Sequence, residues 1–225
     1  MMLSLSANNI NGIHSIMKSI DSIESNSDPC FEDYPKYQNL LNIYREVLLK
    51  MLDSKETINI RTDLGELYCR EHIFPDGNVV DFAWSIPVLQ RLIQNNPKQV
   101  VRKKFKIGEL NEFIDYSGLE TNRFSYALKN SKPVLVIDYS PSNLQVLIDG
   151  NHRVAARLHK FRDADMLVSG IYIPAEIHVK SMASDFQKTF FKVFANVGRI
   201  FLFLDMKSKG NKVTQPKLFN LSTYI

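Results

Sequence analysis

Five consecutive residues, Asp149-Gly150-Asn151-His152-Arg153, gather a carboxylate, a glycine, a carboxamide, an imidazole and a guanidinium. An apolar run, Leu144–Ile148, leads into them and a helix-forming segment, Val154–Phe161, leads out. A tight turn at the start of a helix presents backbone N–H groups that lack intrahelical partners, which suits an anion and most often a phosphate. Arg153 and His152 would add charge-assisted donors to the same ligand. Arg153 stands out because a cation in the first helical turn faces the unfavourable end of the helix dipole. Each residue also has a plainer reading. Gly150 fits any turn that needs a left-handed residue, and Asp149 fits a cap on the following helix. His152 is either a phosphate donor or acid/base near neutral pH, or a hydrogen-bonded packing residue.

The elements around this cluster follow from pattern. Val134–Ile137 and Leu144–Ile148, separated by Ser140-Pro141-Ser142-Asn143, read as paired strands. Upstream, Phe105–Leu110 reads as a short strand, and Thr121-Asn122-Arg123 as the start of a helix to Asn130 with Thr121 or Asn122 as cap. Downstream, Met166–Ile173 and Glu176–Val179 read as strands split by Pro174, and Ser181–Asp205 as a long apolar-striped helix. The N-terminal part reads as helices over Ile10–Ile23, Tyr37–Leu52 and Pro87–Asn95, with irregular chain over 58–84, strands at Thr57–Ile60 or Val79–Ala83, and a turn at Pro75–Asn78. The expected organisation is a mainly helical region 1–97, a core 98–206 and a tail 207–225.

Composition sets bounds. At 225 residues, 44% hydrophobic and 23% charged, the chain matches an ordinary soluble globular protein. No apolar run reaches the roughly 18–20 residues that span a bilayer, so no membrane association is expected. Residues 1–27 lack the basic and apolar regions of a secretory signal. Two cysteines, Cys30 and Cys69, without paired spacing fit a reducing cytoplasm rather than a disulfide framework or a Cys-based zinc site. The net charge of +4 permits an anionic ligand without announcing a nucleic-acid binder. Lys98, Arg102, Lys103, Lys104 and Lys106 offer a contact for nucleic acid, or else protect a strand edge. His72, His159 and His178 show no metal spacing and read as structural, as Trp84 reads as core.

The order of strand, helix, strand, hairpin turn, strand, Asp-Gly-Asn-His-Arg and helix over 98–180 resembles the ParB/sulfiredoxin-type nucleotide-binding superfamily. ParB proteins carry a Gly-x-x-Arg-Arg-like loop that binds CTP, sulfiredoxins carry Gly-Gly-Cys-His-Arg, and related free-serine kinases carry Asp-Gly-His-His-Arg. Residues 149–153 match the last of these except at Asn151, and Glu120-Thr121-Asn122-Arg123 is similar to the Asn-Pro-Arg segment of ParB proteins. The resemblance implies an α+β fold with a ParB/sulfiredoxin-like mixed-sheet core, a helical N-terminal extension and a long C-terminal helix. It implies ATP or CTP held with Mg²⁺ by Gly150, Asn151, His152, Arg153 and Arg123, and catalytic roles for Asp149, His152 and Arg153. It places a catalytic carboxylate among Glu109, Glu112 and Glu120. Asn151 in the position of the sulfiredoxin cysteine excludes thiol chemistry, and no sequence resembling a ParB helix-turn-helix follows.

Two functions of different class fit these residues. One is an NTP-dependent phosphotransferase, NTPase or nuclease. The other is a non-catalytic regulatory module that binds nucleotide or protein, in association with DNA or as a homodimer.

Overall fold

A computed structural model describes residues 7–25, 34–53, 65–114 and 116–221. The chain is α+β, and it divides into two compact units: residues up to Trp84 together with those from Met182, and Ser85–Ser181. This division differs from the expected 1–97, 98–206 and 207–225. The helix after Pro87 belongs with the sheet, whereas the long C-terminal helix belongs with the N-terminal helices.

The Ser85–Ser181 unit carries the motif. Its elements are α3 (Ile86–Asn95), β3 (Val101–Lys106), α4 (Ile107–Asn111), α5 (Phe124–Lys129), β4 (Val134–Tyr139), β5 (Leu144–Asp149), α6 (Asn151–Phe161), β6 (Leu167–Ile173) and α7 (Ala175–His178). The strands form one mixed sheet in the order β3-β6-β4-β5, with only the β6–β4 pair parallel. Central β4 is buried on both sides. Val134 and Val136 face a core of Phe105, Ile107, Leu110, Leu147, Val154 and Ala155, while Leu135 and Ile137, equally buried, point to the opposite side. Gly170 lets β6 pass under Phe105, since a Cβ there would lie 2.7 Å from that ring and 2.9 Å from Val134 Cγ2.

Three expectations in this unit are corrected. The strand ends at Lys106 and Ile107–Asn111 is helical, because Ile107 and Leu110 repeat at helical spacing and bury against the core. Thr121–Arg123 is a 3-10 turn with Glu120 at its N-cap and no side-chain cap, so neither Thr121 nor Asn122 opens a long helix. Glu176–Val179 is helical, with extended Pro174 at the N-cap of α7.

The other unit contains α1 (Ala7–Ser25), α2 (Pro35–Asp53), β1 (Leu67–Ile73), β2 (Val79–Ser85, whose last residue opens the sheet unit) and α8 (Asp185–Ser208). Strand β1 occupies chain read as irregular; Thr57–Ile60 and Cys30 lie outside the described residues. The aromatic stripe of α8 interleaves with the hairpin, as in the ring contacts of Phe82 with Phe190 and Phe191. Buried Asn196 on α8 donates to Tyr44 Oη at 2.7 Å and to the Phe219 carbonyl at 2.9 Å, and accepts from Phe219 N–H at 2.7 Å. Helix α8 starts at Asp185 rather than Ser181, and Ser184 caps it by accepting from Gln187 N–H at 3.1 Å.

His72 packs edge-on to Phe74 and Phe194, and His178 is fully buried with Nε2 2.8 Å from the Asp138 carbonyl. Burial pushes the pKa of each down to about 4. Between pH 6.5 and 4 the unfolded chain therefore binds protons that the folded chain excludes. Stability is expected to fall as pH drops through that window, by up to about 1.4 kcal/mol per pH unit for each histidine. Urea midpoints across pH 4–8 for the wild type and His178→Gln would check it; the variant should show a shallower decline.

Candidate functional site

The site is built where β5 meets α6. Gly150 is the N-cap of α6 with φ +104°, a conformation that side chains disfavour. Space forbids one as well: a Cβ would lie 2.6 Å from Val134 Cγ1 and 2.8 Å from Arg153 Nη2. The first intrahelical bond runs from Val154 N–H to the Gly150 carbonyl at 3.0 Å. The amides of Asn151, His152 and Arg153 thus stand ahead of the helix ladder at the positive end of the helix dipole. The Oδ1 of Asn151 is buried without a hydrogen-bond partner.

Arg153 does not face outward beside those amides. Its side chain is 7% exposed and turns back toward the sheet, donating from Nη1 to the Lys132 carbonyl at 3.2 Å and from Nη2 to Asp149 Oδ1 at 3.2 Å. The Asp149 carboxylate explains why a cation is tolerated in this turn, and with Gly150 at the N-cap α6 has no side-chain cap. Arg157, one turn on, extends the arrangement. Its Nη2 donates to the Asn130 carbonyl at 3.0 Å and its Nη1 to the Arg153 carbonyl at 3.1 Å. Burial, and then the neighbouring Arg153 charge, lower the Arg157 pKa from its ordinary value. Two arginines one turn apart thereby hold the chain that links α5 to β4. Arg157 was not singled out from the sequence; its i, i+4 relation to Arg153 was the available signal.

His152 draws the upstream segment to the helix start. Its Nε2 accepts from Glu120 N–H at 3.2 Å. Farther along the same helix, His159 meets Phe124 edge-on, with ring centroids 5.9 Å apart. Glu120 pairs with Arg123 at 2.8 Å, and the Arg123 side chain is 62% exposed. Of the three glutamates, Glu120 is therefore the one tied to the α6 start, while Glu109 and Glu112 lie exposed in and just after α4. The structure brings together Asp149, Gly150, Asn151, His152, Arg153, Glu120 and Arg123.

The basic run lies along β3. Arg102, Lys103, Lys104 and Lys106 sit on β3, which among the described residues is an edge strand paired with β6, and Lys98 precedes it. Lys106 pairs with Asp165 at 2.7 Å, and Lys103 donates to Gln145 at 3.2 Å while lying over the Phe105 and Tyr172 rings. Among the described residues no group of His, Cys, Asp and Glu forms a metal-binding cluster, and no helix is long and apolar enough to cross a membrane.

No family model, curated protein or solved structure matches the chain.

Three substitutions separate architecture from ligand contact. Gly150→Ala should cost about 2–5 kcal/mol through left-handed strain and the Val134 clash. Arg153→Ala should cost about 2–4 kcal/mol by leaving the Lys132 carbonyl and Asp149 without their partner. Arg123→Ala should stay within about 0.5 kcal/mol. Denaturant unfolding of the three variants gives the comparison.

Proposed function

We propose that the protein binds the phosphates of a nucleotide, ATP or CTP, at the start of α6. The observation that carries this reading is the juxtaposition at one helix start. The amides of Asn151–Arg153 precede the helix ladder behind a glycine whose Cβ has no room, and the Glu120–Arg123 segment is drawn to the same place by His152. Backbone donors at a helix N-terminus with an exposed arginine alongside form an anion cradle. The resemblance to the ParB/sulfiredoxin superfamily supports the same assignment.

Roles divide accordingly. The amides of Asn151, His152 and Arg153 would take phosphate oxygens, and Arg123 would swing from Glu120 to the ligand. Arg153 and Asp149 hold each other and the floor of the site, which makes them positioning residues. His152 is the group placed to move a proton, so catalysis as a phosphotransferase, NTPase or nuclease would rest chiefly on it. Mg²⁺ would enter with the nucleotide, because magnesium is bound largely through substrate phosphates and water and the described residues offer no cage of their own.

Isothermal titration with ATP and with CTP, each with and without Mg²⁺, tests the binding. One nucleotide should bind saturably, and Arg123→Ala should weaken it about tenfold at unchanged stability. Absence of binding by either nucleotide would remove the assignment. Product analysis on the same samples separates the two classes: turnover lost in His152→Ala marks an enzyme, and binding without product marks a regulatory module.

A further inference from the structure

Strand β3 forms one border of the sheet. Among the described residues it pairs with β6 alone, in an unbroken antiparallel register from Val101 opposite Tyr172 to Lys106 opposite Leu167. Every second residue of such a strand turns both its N–H and its C=O away from the strand it is paired with. At about 3.4 Å per residue, the strand offers roughly 20 Å of backbone to a further strand. Every side chain on it except Phe105 is exposed, Val101 at 53%. An open edge of this kind accepts an extended segment through main-chain hydrogen bonds, and the flanking side chains decide which segment.

The side chains of β3 sort by face. Phe105 packs in the core with Val168, and Lys103 lies over the Phe105 and Tyr172 rings while donating to Gln145. Alternation puts Arg102, Lys104 and Lys106 on the opposite face. Lys106 is already paired with Asp165, so the selection falls to Arg102 and Lys104. Their partners on β6 are Ile171 and Ser169, flanked on the same face by Leu167 and Ile173, and the adjacent strand therefore supplies no carboxylate to either cation. A second copy of β3 is a poor occupant. In the antiparallel register centred on Lys103, Arg102 of one copy meets Lys104 of the other, and like charges directly opposite are destabilising. The cations that repel a copy attract a strand with carboxylates two residues apart.

We propose that β3 is the docking edge for an extended acidic segment of a partner protein, added to the sheet as a fifth strand with carboxylates at alternate positions opposite Arg102 and Lys104. The edge lies across the sheet from β5, the strand that leads into the α6 start, and the docking does not depend on nucleotide binding there.

The test is a titration of the isotope-labelled full chain, followed through its backbone amide shifts by NMR and carried to millimolar peptide. The probes are the acetylated and amidated peptide Thr-Glu-Val-Glu-Val-Thr, its counterpart with Lys in place of Glu, and two forms N-methylated at both Glu or at both Val. The acidic peptide should bind saturably with its largest shifts along β3 and β6, and the Lys counterpart at least about tenfold more weakly. One methylated form should lose binding and the other keep it, because alternate residues of a strand direct their N–H groups to opposite edges. Arg102→Glu and Lys104→Glu together should weaken the acidic peptide about tenfold or more. Both side chains are exposed, so the double variant should keep the wild-type circular dichroism spectrum. The proposal is overturned if the acidic peptide does not bind or shifts residues elsewhere, if the Lys counterpart or both methylated forms bind as tightly, or if the double variant binds like the wild type. Oligothymidylate binding at β3 more tightly than the acidic peptide overturns it in favour of a nucleic-acid contact.

Discussion

The candidate site depends on a buried guanidinium. Arg153 enters the first turn of α6 where the helix dipole opposes a positive charge, and it is almost fully removed from water. Such a group is tolerated only when its donors find acceptors. Asp149, from the end of β5, and the Lys132 carbonyl, from the approach to β4, provide them. One side chain thus ties the helix start to two neighbouring strands. Arg157 repeats the device one turn later on the Asn130 carbonyl. The geometry of the Asn151–Arg153 amides follows from this clamp.

Close approach of backbone to side chain sets the remaining constraints. Gly150 brings α6 against Val134, and Gly170 lets Phe105 lie over β6 next to the same valine. Val134 is therefore the point on which the strand–helix junction and the sheet core converge. Because β4 is buried on both faces, its register against β5 and β6 is strongly specified: a one-residue slip would exchange the two buried faces.

In the other unit a neutral amide plays the organising part. Asn196, buried in α8, pairs with both backbone groups of Phe219 and with Tyr44, joining α8, the chain that follows it and α2 through one side chain. Full satisfaction is what allows a carboxamide in that core.

The sequence by itself determined the elements whose signals are local. The helical repeat of α2 and α8, the hairpin around Ser140–Asn143 and the coincidence of Gly150 with a strand-to-helix junction are all legible from spacing and turn chemistry. Short elements were not, because four or five residues carry no full period: Ile107–Asn111 and Glu176–His178 turned helical through burial and a preceding proline. Tertiary structure alone decided the contacts within the motif. From sequence, Arg153 reads as an anion ligand and Asp149 as a cap, with catalytic roles for both implied by the resemblance. In the fold they bind each other, because a charge with an acceptor in reach is more stable paired than buried alone. Which of three glutamates stands at the site, and that Arg123 is the exposed cation there, depended on the contact of His152 with Glu120 across 32 residues of sequence, a separation that no local pattern encodes.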